Sequence, residues 1–290
     1  MNSEFRAPVT GVSKKVGLVA ATVVALVSGC AAASDSSTPE TTAAALSHVH
    51  QIVAAPSGDQ VTLGTHAGLY TISRDGVVAG PLGDADFDAM GLAVSAGSFV
   101  ASGHPGATTP SELGSPHLGI IRSDDNGESW YSQAFASDED FHVLTSGPDG
   151  VLYGVGSSTA AVRASVDGGA TWSVGAEVGA VDLTVTADGW LIAATEAGLQ
   201  QSGDGGATFE VIGSTPLLYQ LATTPDGVIV GVDIAGVLWR SADAVNWESF
   251  GTATGGVQAL GVSADGAVVL IDDRGLIWIN DSIETIIPLG

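Results

Sequence analysis

Short runs of β-branched and other apolar residues recur along residues 47–290, and turn residues separate them at nearly even intervals. Asp-Gly turns at residues 149–150, 188–189, 226–227 and 265–266 each divide two such runs. This pattern predicts a β-hairpin at every turn. The strands that follow these turns are predicted at residues 151–155, 190–194, 228–232 and 267–271, with earlier equivalents at 61–65 and 99–103.

The runs form six units, which begin near residues 47, 84, 138, 178, 216 and 255. A unit of about 40 residues that holds four short strands is typical of a propeller blade and not of a helical repeat. We therefore predict an all-β, six-bladed β-propeller over residues 47–290. A seventh blade would form if the preceding segment added strands. An insertion rich in Pro, Gly, Ser and Thr, residues 105–116, lengthens the second unit.

A second repeated pattern, S-x-D-x-G-x-T-W, accompanies the hairpins. Its copies consist of Ser123, Asp125, Gly127 and Trp130; Ser165, Asp167, Gly169 and Trp172; Ser202, Asp204, Gly206 and Phe209; and a shortened Ser241, Asp243 and Trp247. This pattern resembles the Asp box, or BNR repeat, of bacterial sialidase-like propellers that include putative glycosyl hydrolases. The resemblance implies a hairpin turn whose Asp, Ser and Thr oxygens bind turn amides while glycine adopts a positive φ. It implies a fold and leaves the activity open.

The first 46 residues predict where in the cell the protein is located. Arg6, Lys14 and Lys15 precede an apolar run, residues 16–27, that is too short to span a bilayer and is typical of a secretory signal. The run ends in Leu-Val-Ser-Gly before Cys30, the single cysteine, and this sequence resembles a bacterial lipobox. We expect residues 1–29 to be a lipoprotein signal peptide and residues 30–46 to comprise the lipidated Cys30 and a flexible linker. The protein would be an extracytoplasmic lipoprotein of the bacterial cell membrane.

The net charge of −24 arises from 8 basic and 32 acidic residues. It argues against a nucleic-acid partner, because phosphate backbones attract cationic surfaces. One cysteine excludes a disulfide framework. We expect a monomer that is attached to the membrane through the lipid on Cys30 and that takes a small ligand, glycan or protein at the channel mouth.

The six histidines all lie between positions 48 and 142. Alignment of the units places His48, Asp88 and Asp140 at one position and His50, Met90 and His142 two residues later, and residues two apart on a strand share a face. His66 and His104 end second strands, with Gly156, Thr195, Asp233 and Asp272 as their expected counterparts. These residues should converge at one rim of the central channel, with His117 in the insertion as a weaker addition.

Imidazoles and carboxylates suit transition metals, and a thioether favours copper. The predicted ligands of a copper or zinc ion are therefore His48, His50, His66, Met90, His104 and His142. The principal hypothesis is a non-catalytic site for a metal, a small ligand or a protein.

Two alternatives stay open. A glycosyl hydrolase would need two carboxylates, and its candidates are Asp88, Asp140, Asp233 and Asp272. A true sialidase is disfavoured, because an arginine triad is missing: the arginines at 74, 122, 163 and 240 lie near Asp-box serines, on the outer hairpins away from the rim. The second alternative is an interaction scaffold that uses the blade faces.

Overall fold

Residues 46, 48–55, 59–84, 86–281 and 283–289 are described by the computed structural model. They form 24 strands in six four-stranded antiparallel sheets, together with two 3-10 turns at Leu82–Asp84 and Ser111–Leu113. None of the described residues belongs to a helix long and apolar enough for a membrane crossing. The six-bladed propeller predicted from the sequence is confirmed. The expected signal peptide and Cys30 lie outside the described residues.

Each blade is one continuous stretch of chain, and its strands follow one another outward from the centre. Blades 1 to 3 consist of β1 (Val49–Ala54), β2 (Gln60–Thr65), β3 (Gly68–Ser73) and β4 (Val78–Ala79); β5 (Asp88–Ser95), β6 (Ser98–His104), β7 (Ile120–Ser123) and β8 (Tyr131–Ala134); and β9 (Phe141–Ser146), β10 (Leu152–Gly156), β11 (Ala161–Ser165) and β12 (Ser173–Glu177). Blades 4 to 6 consist of β13 (Ala180–Val185), β14 (Leu191–Thr195), β15 (Gly198–Ser202) and β16 (Glu210–Val211); β17 (Leu218–Thr223), β18 (Ile229–Asp233), β19 (Val237–Ser241) and β20 (Glu248–Thr252); and β21 (Ala259–Val262), β22 (Val268–Asp272), β23 (Gly275–Asn280) and β24 (Ile283–Ile287).

The first strands of the six blades surround the channel, and each contacts the first strand of the next blade. Contact between β21 and β1 closes the ring. At one matching position these strands carry buried apolar residues: Ile52, Leu92, Leu144, Leu183, Leu221 and Leu260. Close approach of the strands requires glycine at two places. An added β carbon would lie 2.4 Å from the Phe141 carbonyl oxygen at Gly91, and 2.4 Å from the Ile52 oxygen at Gly261.

Apolar side chains of neighbouring blades share common cores. One core joins blades 1 and 6 through Ile52, Val61, Val269 and Trp278. Leu46, the last residue of the expected linker, is buried in the same core. Burial of side chains of this size stabilises the fold by about 1.5–3 kcal/mol each. Ring closure therefore rests on side-chain packing between the first and last blades, not on strand exchange.

The repeated S-x-D-x-G turns join the third and fourth strands of blades 2 to 4, and the shortened copy joins those of blade 5. In blade 3 the Ser165 hydroxyl donates to Asp167 and accepts from the Gly169 amide, while the amide and hydroxyl of Thr171 donate to the same carboxylate. Hydrogen bonds led by the Thr171 hydroxyl lower the pKa of Asp167 to about 2. Gly169 has a φ of 94°, which favours glycine. Each turn follows a third strand, so it lies at the end of its blade opposite to where the first strand begins.

Candidate metal centre at the channel mouth

Three repeat positions of blades 1 to 3 meet at the rim where the first strands begin. The residue before the buried start of each first strand is His48, Asp88 or Asp140. The next position but one holds His50, Met90 or His142. The third position lies at the end of the second strand. Val49, the first buried residue of β1, pairs with Thr65, and Ala89 of β5 pairs with Gly103. The residues that directly follow these partners are His66 and His104.

A β-bulge marks the second of these positions. The register shifts at His50, Met90 and His142, and also at Val181 and Tyr219 on blades 4 and 5. A bulge inserts one unpaired residue and re-aims its side chain. The first strand of each of these five blades thus carries, at the channel mouth, one residue that does not pair with the second strand. In blades 1 and 3 that residue is a histidine.

The first group of side chains, here named the Asp88 cluster, comprises His48, His50, His66 and Asp88. Asp88 belongs to blade 2 but receives two imidazoles from blade 1: His50 Nε2 lies 3.2 Å from Oδ1, and His66 Nδ1 lies 2.8 Å from Oδ2. The ring of His66 packs edge-on against His50 at 4.5 Å and against His48 at 5.2 Å between centroids. One ligand atom from each of His50, His66 and Asp88 lies within 4.8 Å of the other two.

The second group, the Asp140 cluster, comprises His104, His117, Asp140 and His142. His142 Nε2 and His104 Nε2 lie 2.6 and 3.3 Å from Asp140 Oδ2, and His117 Nδ1 lies 3.2 Å from Oδ1. Ligand atoms of His104, Asp140 and His142 also lie within 4.8 Å of one another. Five of the six histidines therefore lie against one of two carboxylates, and His48 packs against His66.

Asp140 is held rigidly and is shielded from solvent. Its side chain is only 1% exposed. The Ser157 hydroxyl accepts from its backbone amide, and Ser102 of blade 2 accepts from the amide of Phe141. Burial acts to raise the pKa of Asp140, but hydrogen bonds led by Ser157 and His142 outweigh it and hold that pKa below its ordinary value. The cluster thus centres on a buried, ionised carboxylate.

Two of the close contacts are not hydrogen bonds. His50 Nε2 with Asp88 Oδ1, and His117 Nδ1 with Asp140 Oδ1, lie 3.2 Å apart, yet none of these four buried atoms has a hydrogen-bond partner among the described residues. Two ligands of one zinc ion, each about 2.1 Å from the metal, are separated by about 3.4 Å in a tetrahedral site. Near contact without alignment is the geometry of donors that face a common point. The residues present therefore fit a metal ion.

The protonation of two imidazoles also suits a metal. His104 Nδ1 lies 3.2 Å from the Pro116 carbonyl oxygen, and a donor there leaves Nε2, which faces Asp140, with its lone pair. Burial lowers the pKa of His50, and this effect exceeds the opposing attraction of Asp88. The nearby imidazoles of His66 and His142 also act to lower that pKa.

His117 reaches the rim because the insertion in blade 2 is packed onto the blade. Leu113 and Leu118 are buried in its core, and Asp86 accepts hydrogen bonds from Thr108 and Thr109. The sequence indicated His117 only weakly, because its place depends on these long-range contacts. The carbonyl of Pro116 has no signal in the sequence.

The alignment of second-strand ends needs correction. Register partners show that Gly156, Thr195 and Asp233 match Thr65 and Gly103, not His66 and His104. The reason is that the hairpin turns differ in length: Ser95 pairs with Ser98 in blade 2, whereas Ser146 pairs with Leu152 in blade 3. Counting from the turn therefore shifts the alignment by one residue.

Two expected rim carboxylates form structural contacts. Asp233 accepts from the Val237 amide and from Trp239 Nε1. Asp272 is fully buried and pairs with Arg274 at 2.7 Å. Met90 occupies the half-buried bulge of β5.

Arg163 also departs from its expected place on the outer hairpin, away from the rim. It forms a buried ion pair with Glu139, at 2.7 Å, directly beside Asp140. Its guanidinium stacks over the Phe135 ring at 5.0 Å. Glu139 also accepts from the Ser158 hydroxyl. This pair carries no signal in the sequence, because Glu139 lies in the loop before β9, Arg163 lies on β11, and neither belongs to a repeated pattern.

No protein-family profile and no curated protein matches the sequence. The fold is similar to that of solved propellers. A putative gluconolactonase is 12% identical with a TM-score of 0.61, over 83% of this chain and 90% of that chain. A gluconolactonase from Xanthomonas campestris is 11% identical with a TM-score of 0.60, over 82% and 86%. Virginiamycin B lyase from Staphylococcus aureus is 15% identical with a TM-score of 0.54, over 83% and 84%.

At such identities the comparisons show the fold and no shared activity. Fold and comparisons together define the class of this protein as a six-bladed β-propeller.

Proposed function

We propose that this propeller binds a transition-metal ion of the Cu²⁺ or Zn²⁺ class at the Asp140 cluster, without catalysing a reaction. The observation that carries the proposal is one buried carboxylate with three imidazole nitrogens within 3.3 Å of its oxygens. Imidazole nitrogen with carboxylate oxygen is a donor set that copper and zinc share. Calcium and magnesium prefer oxygen ligands throughout, so they fit this cluster poorly.

The charge balance supports a cation at this point. Asp140 supplies one negative charge at a place from which solvent is excluded, and a buried charge needs compensation. A divalent ion bound by Asp140, His104 and His142 would compensate that charge directly. The net charge of −24 additionally raises the local concentration of cations around the protein.

The alternative of a glycosyl hydrolase has less support at this rim. Asp233 and Asp272 are committed to Trp239 and Arg274, and Asp88 and Asp140 face imidazoles. The lactonase and lyase activities in the names of the solved propellers stay with those proteins. The turns that resemble the Asp box of sialidase-like propellers form hairpins at the opposite ends of the strands, away from this rim.

The proposal includes the expected location of the protein outside the cell membrane. A lipid on Cys30 would hold the propeller at the outer surface of the cell membrane, with residues 31–45 as a tether. A metal site with half-exposed imidazoles at a channel mouth is accessible to ions outside the cell. We propose that the protein acts there as a binding module for such ions.

Equilibrium dialysis against Zn²⁺ or Cu²⁺, followed by elemental analysis, tests the proposal on the detergent-solubilised full chain. We expect the wild-type protein to retain metal and the double variant Asp140→Asn with His142→Ala to lose the ion of this cluster. Asp188→Asn, at a turn of the opposite face, is the matched control and should bind as the wild type does. A wild-type protein without bound metal, or a double variant with unchanged binding, would refute the proposal.

A further inference from the structure

We propose that the Asp88 cluster is a second metal site, which binds an ion of the same class beside the one at Asp140. The inference rests on the proposed function and extends it from one ion to two. It concerns His48, His50, His66 and Asp88, which the first site does not use.

The repeat generates both clusters by the same rule. In blade 1 the histidine that follows the second strand, His66, lies 2.8 Å from the aspartate that begins blade 2. In blade 2 the equivalent histidine, His104, lies 3.3 Å from the aspartate that begins blade 3. The Asp140 pair is thus the Asp88 pair advanced by one blade. If His104 and Asp140 bind a metal ion, His66 and Asp88 offer the same imidazole and carboxylate donors.

The Asp88 cluster has its own further donors. His50 Nε2 lies 3.2 Å from Asp88 Oδ1, and these two buried atoms have no hydrogen-bond partner among the described residues. His48 packs against the ring of His66 at 5.2 Å between centroids. Two imidazoles and a carboxylate already provide the three protein ligands that an open zinc site requires.

The two sites differ in strength and are close together. Asp140 is 1% exposed and Asp88 is 22% exposed, so water screens the Asp88 cluster more strongly. Asp88 and His104 are register partners on neighbouring strands, and such partners have side chains on one face. Two cations bound at these neighbouring clusters would repel each other. We therefore expect the ion at Asp140 to bind first and the ion at Asp88 to bind more weakly.

Isothermal titration of the full-length, detergent-solubilised protein with Zn²⁺, repeated with Cu²⁺, tests this inference. We expect two ions per chain in two separable steps. The variants His66→Gln and Asp88→Asn should each lose one equivalent, the weaker one, and keep the tighter step. The Asp140→Asn, His142→Ala variant should keep only the weaker step. Both sets of changes together should abolish binding. Circular dichroism establishes that each variant is folded.

The outcomes separate the two proposals. One ion per wild-type chain, unaffected by His66→Gln and Asp88→Asn, would overturn the second site and leave the first intact. Loss of all binding in His66→Gln would also overturn it, because a single shared centre would then explain the data. Absence of binding in the wild type would overturn the proposed function itself.

Discussion

Asp88 stands directly opposite His104 on the β5–β6 hairpin of blade 2. Asp88 contacts the imidazoles of blade 1, and His104 contacts the carboxylate of blade 3. One hairpin therefore supplies a ligand to each cluster and fixes the spacing between them. Movement of this hairpin would alter both clusters together.

We expect Met90 to favour copper over zinc at this rim. It occupies on blade 2 the bulge position that His50 and His142 occupy on the neighbouring blades, so it lies between the two clusters along the rim. A thioether binds Cu⁺ well and Zn²⁺ poorly. We expect Met90→Leu, which nearly conserves volume, to weaken Cu⁺ binding about tenfold, or about 1.4 kcal/mol.

Competition with a colorimetric Cu⁺ chelator measures this effect, and Zn²⁺ titration of the same variant is the control. Zn²⁺ affinity should stay unchanged. Equal loss of Cu⁺ and Zn²⁺ affinity would show that Met90 supports the fold of the rim and is not a copper ligand.

The expected location of the protein depends on Cys30. If it carries the lipid, Cys30→Ser removes the anchor and the protein should move from the membrane fraction to the soluble fraction. Immunoblots of the two fractions measure the change. Because Cys30 is the single cysteine, no disulfide changes with it. Membrane retention of the variant at the wild-type level would reject the lipoprotein assignment.

We expect Asp182 to make the stability of the propeller depend on pH. Its carboxylate accepts from the amides of Leu183 and Leu221 at 2.8 and 2.7 Å, deep in the channel. Burial raises its pKa from 3.8 to about 7. A raised folded-state pKa stabilises the protein fully below the unfolded value, and this stabilisation is lost as the pH rises through about 7.

We expect Asp182→Asn to remove up to about 4 kcal/mol of this dependence between pH 4 and pH 8. Urea unfolding of both proteins across that range measures it. Other titrating groups contribute equally to the two proteins, so they cancel in the difference. Parallel curves for wild type and variant would contradict the raised pKa.

The ion pair beside Asp140 should contribute to stability. Arg163→Met leaves Glu139 buried with only the Ser158 hydroxyl and amide to compensate it. Removal of one partner of a buried pair costs about 3 kcal/mol or more. The matched control is Arg240→Met, which breaks the exposed pair with Glu248 and should cost about 1 kcal/mol or less. Urea midpoints compare the two, and equal losses would contradict the assignment.

The blades were predictable because their signals are local. A turn such as Asp149-Gly150 and the alternating runs on either side define a hairpin within a few residues, and the repeat sets the order of the strands. The inward position of Ile52 and its equivalents follows from the same alignment. The residues that meet at the rim were also predictable, since Asp88 and Asp140 occupy one repeat position.

The pairing at the rim was not predictable. The sequence pointed to one convergent group, whereas the side chains form two clusters, because each aspartate faces the blade that precedes it. Register depends on turn length, so Asp233 was aligned with His104, although its register partner makes it equivalent to Gly103. Arg163 and His117 take their places through contacts distant in sequence, which a repeat pattern does not encode.

Anomalous X-ray scattering from crystals grown with Zn²⁺ tests the central claim most directly. Data collected above and below the zinc absorption edge locate the ion independently of any assumption about its ligands. We expect an anomalous peak for a zinc ion bound by Asp140 Oδ2 and the Nε2 atoms of His104 and His142, with ligand distances of about 2.0–2.2 Å. A rim without a peak at this cluster, or zinc found only among the acidic turns at the opposite ends of the blades, would contradict it.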